Sequence, residues 1–216
     1  MTQWVDLRLV AGLATLCAFA ACSGSVPNAA PEKSAAAAAA ESAPAPDVVV
    51  TEASFRCIRD MKAVRNFYVD NLLGDVAATV AVAESPTGGT WPPGSLVQVI
   101  PTTAMVKHRP GHNPETNDWE FIELDVAADG VTILGRGFAE LNMRTAGLNC
   151  FTCHKPAKAA WDLICEQNRG CIPIPLTPPM MRGLQSTDPR CPKIEVPQDQ
   201  VEALAALAAR QAPKRE

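Results

Sequence analysis

The stretch WEFIELDVAADGVTILGRG, residues 119 to 137, decides the fold class. Aromatic, β-branched and other apolar residues fill both halves, and Asp129-Gly130 between them is a hairpin signal. The pattern predicts two antiparallel strands over residues 119–126 and 131–140. Two further β-branched segments bounded by proline, 96–100 and 104–108, predict two more strands of the same sheet.

Helical spacing of apolar residues flanks this sheet. Intervals of three and four residues run through 57–80, which predicts one or two helices, and recur over 157–164 and 201–208. The predicted fold class is therefore α+β, a mainly antiparallel β-sheet with flanking helices.

The N-terminus has the features of an export signal. An uncharged, largely apolar run of 13 residues, 9–21, follows Arg8, which is too short to span a bilayer. It ends in small residues before Cys22 and resembles a bacterial lipoprotein signal, in which that cysteine is lipidated after cleavage. We expect a signal peptide over 1–21 and a lipid anchor at Cys22 on the periplasmic side of the outer membrane. Cleavage without lipidation is the alternative.

A compositional change separates this signal from the rest of the chain. Residues 29–46 contain 10 Ala and 3 Pro, and alanine alone buries too little apolar surface to offset chain entropy. The composition predicts a disordered tether over 22–50 and one folded domain over 51–216.

Charge and motif content exclude several function classes. With 19 Lys plus Arg against 23 Asp plus Glu, the chain has no basic surplus for a phosphate backbone, so we expect no nucleic-acid partner. The sequence has no glycine-rich phosphate loop and no convincing Ser-His-Asp pattern. Strand alternation places Glu120 opposite Glu123 and Asp125, which predicts a solvated face rather than an acid/base pair.

The chemistry is concentrated in NCFTCHK, residues 149–155. Cys150, Cys153 and His154 form Cys-x-x-Cys-His, the c-type haem attachment motif. Two thiols three positions apart can each form a thioether with one haem vinyl group, and the adjacent imidazole can ligate iron. We therefore predict one covalent haem c held by Cys150 and Cys153, with His154 as an axial ligand.

Three alternatives to haem are weighed against this motif. Cys150 and Cys153 could form a thioredoxin-type redox pair, although no βαβ unit is predicted around them. They could bind zinc together with Cys165 and Cys171, or form a plain disulfide with each other. In the last case the protein would be a structural envelope lipoprotein.

The other cysteines of the exported part predict disulfides. Cys57, Cys165, Cys171 and Cys191 are an even number, with three connectivities. We favour Cys57–Cys165 and Cys171–Cys191, because the second bond would staple the proline-rich stretch 173–189.

Several residues are candidates for contact with the haem. Trp119 and Phe121 share one strand face and could wall its pocket or simply fill the core. Arg136 and Arg144 could pair with haem propionates or be surface cations. The candidates for a sixth iron ligand, which could instead be core or loop-end residues, are Met105, Lys107, His108, His112 and Met143. Strand alternation allows only one of Lys107 and His108 to face the haem.

The order of WPPGS at 91–95, MVK at 105–107, DWEF at 118–121 and the haem motif resembles the cytochrome P-460 and cytochrome c′-β family, over about residues 85–156. The resemblance implies a small, mainly antiparallel β-protein, commonly dimeric. It also implies one c-type haem with the motif histidine, here His154, as its protein ligand and its other face open to gases or small nitrogen species.

The P-460 branch also has a lysine cross-linked to the haem, on the strand after its Pro-x-Gly turn, and oxidises hydroxylamine. Here that strand, 95–100, has no lysine, and the nearest is Lys107. We therefore expect a protein of the cross-link-free branch, which transfers electrons to a redox partner or binds a small ligand. A haem oxidoreductase acting on hydroxylamine or a related nitrogen compound is the alternative.

Overall fold

The computed structural model describes residues 46–144, 147–166 and 168–211. The predicted signal peptide, the lipidation site Cys22 and most of the predicted tether lie outside these residues. Val48 and Val50 are buried, each 7% exposed, and belong to a hydrophobic core cluster. The packed part of the chain therefore begins before residue 50, the predicted end of the tether.

Within the described residues, six strands form one antiparallel sheet in which each strand pairs with its neighbours in sequence. The strands are β1 Lys62–Val64, β2 Phe67–Asn71, β3 Ser95–Gln98, β4 Thr103–Lys107, β5 Trp119–Ala127 and β6 Gly130–Gly137. The α-helices are α1 Val76–Glu84, α2 Cys150–His154, α3 Pro178–Ser186 and α4 Gln198–Gln211. The α+β class with a mainly antiparallel sheet is confirmed.

The hairpin of β5 and β6 is the longest pairing of the sheet, as the sequence predicts. Its turn includes Asp129, and neither Asp129 nor Gly130 adopts a positive φ. A β-bulge between Glu123 and Leu124 shifts the register by one residue, so that Ile122 faces Arg136. Beyond the bulge, each β6 side chain lies on the opposite face of the sheet from the one that unbroken alternation would give it.

The helix predicted over the first part of 57–80 is wrong, because β1 and β2 form a hairpin there. Val64, Phe67 and Val69 are buried, and burial alternates along β2. Their three- and two-residue spacing arises from period-two alternation interrupted by a turn, in which Arg65 has φ of 51°. The first part has only the 3-10 turn Ile58–Asp60, and the α-helix lies in the second part. There α1 begins after Asp75, whose side chain accepts a hydrogen bond from Ala78 N at 3.1 Å.

The two faces of the sheet carry two hydrophobic clusters. One cluster contains Leu96, Val106, Ile122 and Leu124 and is covered by the N-terminal segment. The other contains Val97, Met105, Trp119 and Phe121 together with residues that follow the sheet, Phe151, Leu163 and Ile164. The second face therefore brings the Cys-x-x-Cys-His helix onto the sheet, and we call it the motif face.

The C-terminal part differs from the prediction. The proline-rich stretch contains α3, whose N-cap Thr177 accepts from Met180 N at 3.4 Å and whose first positions are prolines. α4 is confirmed and packs on α3 at Gly183, where a Cβ would lie 2.8 Å from Leu204 Cγ. The helix predicted over 157–164 is reduced to the 3-10 turn Ala159–Trp161. Among the described residues, no helix is long and apolar enough to cross a bilayer.

The four remaining cysteines form two disulfides, as the cysteine count predicts, but the favoured pairing is wrong. The bonds are Cys57–Cys191 and Cys165–Cys171, with Cα–Cα distances of 4.8 and 5.5 Å. Cys57 and Cys191 both pack in the cluster on the face opposite α2. Cys165 lies beside His154 on the motif face, so the sheet separates it from Cys57.

Candidate functional site

The motif helix α2 is tied to the end of the sheet by its N-cap. The side chain of Asn149 accepts a hydrogen bond from Thr152 N at 2.7 Å and donates one to Ala139 O at 3.0 Å. Cys150 N donates to Leu141 O at 3.2 Å. The first turn of α2 is therefore capped and held against the segment that follows β6.

The two motif thiols are half-buried. Among the described cysteines, only Cys150 and Cys153 are outside disulfides. Their i, i+3 spacing in a helix puts both thiols on one side. Burial raises the pKa of the Cys150 thiol to about 11, and the nearby charge of Glu123 adds to the effect. A thioredoxin-type nucleophile needs a lowered thiol pKa, so this geometry disfavours the redox-pair alternative.

The tautomer of His154 follows from its hydrogen bond. Its Nδ1 lies 2.8 Å from Leu163 O. A carbonyl only accepts, so Nδ1 carries the proton and Nε2 keeps its lone pair. Burial lowers the pKa of His154 more than this hydrogen bond raises it. His154 is thus a neutral imidazole whose Nε2 is free of the other described residues, the form in which histidine ligates metals.

The carbonyl that accepts this hydrogen bond lies in a strained turn. Asp162 and Leu163 have φ of 47° and 64°, in the left-handed region. Each such residue costs about 1–2 kcal/mol when it is not glycine. Leu163 is 8% exposed and packs in the motif-face cluster. The surroundings therefore hold an unfavourable backbone that aims Leu163 O at His154.

The predicted wall residues lie beside the motif. Trp119 and Phe121 are buried on the motif face. The Phe121 ring centroid is 5.2 Å from that of His154 and 6.4 Å from that of Phe151. Trp119 Nε1 is buried and has no hydrogen-bond partner among the described residues. The Phe121 ring thus contacts His154, the predicted iron ligand. On the same face, Trp119 Nε1 is a hydrogen-bond donor that no described residue uses.

Arg136, a candidate partner of the haem propionates, is not brought to the motif. The bulge in β5–β6 places Arg136 opposite Ile122, on the face away from α2. There its guanidinium donates to Glu120 Oε2 at 2.9 Å and to Val50 O at 2.9 Å. Without the one-residue shift Arg136 would face Phe121 on the motif face. Arg144 lies on the segment leading to α2, where its backbone N donates to Glu123 Oε2 at 2.6 Å.

The solvated face predicted for the β5 carboxylates is also wrong. Glu120 and Glu123 are 3% and 1% exposed, on opposite faces as alternation predicts, and only Asp125 is exposed. Glu123 lies on the motif face and anchors the segment that carries Arg144. Local sequence does not indicate that Glu120 and Glu123 are buried, because the groups that hydrogen-bond their carboxylates lie on other strands and segments.

Replacing Glu120 by Gln is expected to destabilise the protein at neutral pH by about 2 kcal/mol, the value of hydrogen bonds to a charged group. Burial tends to raise the pKa of Glu120, but hydrogen bonds from His108 and Arg136 outweigh it and lower the pKa. A lowered pKa stabilises the fold above the unfolded value, near 4.5, and the effect is lost as pH falls through the folded value. Urea unfolding from pH 7 to pH 3 should show the difference between Glu120→Gln and wild type shrinking below about pH 4.5.

The exposed Asp125→Asn on the same strand is the control, with little effect across this range. A constant difference between Glu120→Gln and wild type at all pH values would contradict the assignment.

The five predicted candidates for a sixth ligand separate by face. His108 is 4% exposed, bonded to Glu120 and stacked on His112 at 4.2 Å between ring centroids, on the face away from α2. Both histidines are therefore unsuited to the role, and His108 is not the solvent-facing residue expected.

Met105 is buried on the motif face, and Met143 is half-buried after β6. Lys107 Nζ is bound to Asp162 Oδ2 and Asn117 O, each at 2.6 Å.

The zinc alternative loses two of its ligands, because Cys165 and Cys171 are bonded to each other. Among the described residues, no group of three or more His, Cys, Asp and Glu gathers as a metal site. A cavity of about 570 Å³ lies beside Phe55 and Val131, and one of about 170 Å³ beside Phe67 and Gln185. Neither is lined by residues of α2.

The residues of the motif, in contrast, fit a c-type haem. Two thiols outside disulfides lie on one side of α2, and the adjacent imidazole has a free Nε2. Comparison of the chain with family models, curated proteins and solved structures gives no match.

Proposed function

We propose that this protein is an exported, membrane-tethered c-type cytochrome that binds one haem covalently through Cys150 and Cys153. The observation that carries the proposal is the hydrogen bond from His154 Nδ1 to Leu163 O. It fixes the imidazole in one tautomer and orientation, as the outer hydrogen bonds of metal-ligating histidines do. His154 then offers Nε2 as an axial ligand.

The state of the cysteines supports this proposal. Cys57, Cys165, Cys171 and Cys191 are paired, whereas the two motif thiols are not. In an oxidising compartment, two neighbouring thiols left out of disulfides are available for another covalent bond. Thioether formation with two vinyl groups uses both.

The surface around α2 suits a large apolar ligand. Leu148 and Ile172 are 48% and 47% exposed. Leu148 precedes the motif, and Ile172 N donates to Cys153 O at 3.1 Å, so both flank the helix. Contiguous exposed apolar patches often mark ligand sites, and these two side chains would offer apolar contact to a group bound at α2.

Each residue of the site then has a defined task. Bound haem would supply one-electron transfer or binding of a small ligand at the iron. Cys150, Cys153 and His154 would hold it, and Phe121, packed against the ring of His154 and backed by Phe151, keeps water from that ring. The antiparallel sheet and the motif placed after its last strand support membership of the cytochrome P-460 and c′-β family, with dimer formation implied by the resemblance alone.

The lysine-linked alternative receives less support. Lys107 is on the motif face, but its ammonium group is engaged by Asp162 and Asn117. A cross-link would require breaking a buried ion pair whose side chains are 6% and 8% exposed. We therefore propose the cross-link-free function, electron transfer to a redox partner or binding of a small gaseous or nitrogen ligand.

The visible spectrum of the full chain, produced with a haem-maturation system, tests the proposal. We expect a Soret band and haem retained on a denaturing gel, and uptake of CO by the ferrous protein would favour ligand binding over pure electron transfer. A strongly red-shifted Soret band would instead identify the lysine-linked enzyme. A colourless protein would overturn the proposal and favour a structural envelope lipoprotein.

A further inference from the structure

A buried ion pair connects the sheet to the turn behind His154. Lys107 and Asp162 are 2.6 Å apart between Nζ and Oδ2, with side chains 6% and 8% exposed. Lys107 Nζ also donates to Asn117 O at 2.6 Å and lies 5.1 Å from the centroid of the Trp119 ring. Burying two charges is costly, so such a pair is weak evidence for stability alone and suggests another role.

Asp162 is at the centre of this arrangement. The same Oδ2 atom accepts a hydrogen bond from Trp91 N at 3.0 Å. One carboxylate therefore joins β4 and the segment before β3 to the strained turn of Asp162 and Leu163. Leu163 is the next residue, and its carbonyl oxygen accepts a hydrogen bond from His154 Nδ1 at 2.8 Å.

The structure assigns Lys107 and Asp162 as a positioning pair that holds Leu163 O against His154 and so sets the reduction potential of the haem. This inference rests on the proposed function. Two successive left-handed residues relax unless something holds them. Besides the packing of Leu163, the holding contacts here are the two hydrogen bonds to Asp162 Oδ2.

The direction of the effect follows from the chemistry of imidazole. A strong acceptor at Nδ1 makes the histidine a better electron donor to a metal and favours the ferric state. If the turn relaxes, the Nδ1–Leu163 O hydrogen bond lengthens and this donation weakens. Loss of the Lys107–Asp162 pair should therefore raise the potential.

A second buried ion pair provides a matched control. Arg190 and Asp188 are 2.7 Å apart, with side chains 5% and 0% exposed. Asp188, like Asp162, also accepts a backbone hydrogen bond, here from Ile58 N at 3.0 Å. This pair lies with the cluster that contains Ile58, on the face of the sheet away from α2.

The test compares Asp162→Asn and Asp188→Asn as holoproteins. We expect both variants to lose stability and to keep their covalent haem. Only Asp162→Asn should show a more positive midpoint potential, a severalfold lower ferric-to-ferrous ratio at a fixed potential, and a lower iron–histidine stretching frequency in the ferrous state. Lys107→Arg, which keeps the charge, should remain close to wild type.

A second variant tests the positioning role if the first one does not fold. If Asp162→Asn does not fold, the double variant Lys107→Met with Asp162→Asn removes both charges and should show the same shift. Wild-type potential and stretching frequency in the folded variant would overturn the positioning role while leaving the cytochrome assignment intact. A wild-type chain that takes up no haem would instead overturn the proposed function.

Discussion

Replacing both motif cysteines, Cys150→Ser with Cys153→Ser, should abolish covalent haem. A serine hydroxyl does not form a thioether, so any haem bound through His154 alone would be lost on denaturation. The measurement is haem staining on a denaturing gel, together with the spectrum of acid–acetone extracts. We expect the stain to disappear from the double variant and the extracts to contain whatever haem it bound.

The chain offers a control that removes the same number of cysteines. Cys165→Ser with Cys171→Ser deletes a disulfide beside His154 but leaves both motif thiols in place. This variant should keep its haem stain, and each single motif variant should keep one thioether. Retention of stain in the double motif variant would contradict the assignment.

Removing the Cys57–Cys191 disulfide should cause the largest loss of stability. It closes a loop with a sequence separation of 134 residues, so the unfolded chain gains much conformational freedom when it is removed. The loop-entropy relation gives about 5 kcal/mol. The Cys165–Cys171 bond, with a separation of 6, should contribute only about 2 kcal/mol by the same relation.

Urea unfolding of the two double-serine variants measures this contrast. Cys57→Ser with Cys191→Ser should shift the midpoint far more than Cys165→Ser with Cys171→Ser. The haem spectrum should respond in the opposite order, because Cys165 Sγ lies 3.2 Å from His154 Nδ1. Equal losses of stability would show that native packing around the bonds, rather than loop entropy, decides their contribution.

Much of the sheet is predictable from local pattern. The strands β3 to β6 have β-branched and aromatic residues between proline and glycine turns, and each lies where the sequence predicts it. The hairpin of β1 and β2 was missed because of the short turn at Arg65. This turn interrupts the alternation, so that the spacing of the buried apolar residues resembles that of a helix. The helix α3 was also missed, because a proline-rich stretch suggests a loop. Prolines at the first helical positions are nevertheless compatible with a helix.

The site is only partly predictable. The motif itself identifies Cys150, Cys153 and His154, and alternation places Phe121 correctly near them. Arg136 lies on the face away from α2 because of a β-bulge, which has no clear sequence signal. The carbonyl that orients His154 belongs to a leucine at positive φ, a conformation that tertiary contacts impose and local sequence does not indicate.

The strand order of the sheet bears on the order in which the parts of the chain can fold. Because each strand pairs with the one before it, β1 to β6 can assemble by successive hairpins, without waiting for distant partners. Residues 62–137 precede α2 in the chain and can form the sheet before α2 joins it. Closure of the Cys57–Cys191 bond, with a sequence separation of 134, also needs the later part of the chain. The helix α2 can therefore meet a preassembled sheet while the long covalent loop is still open.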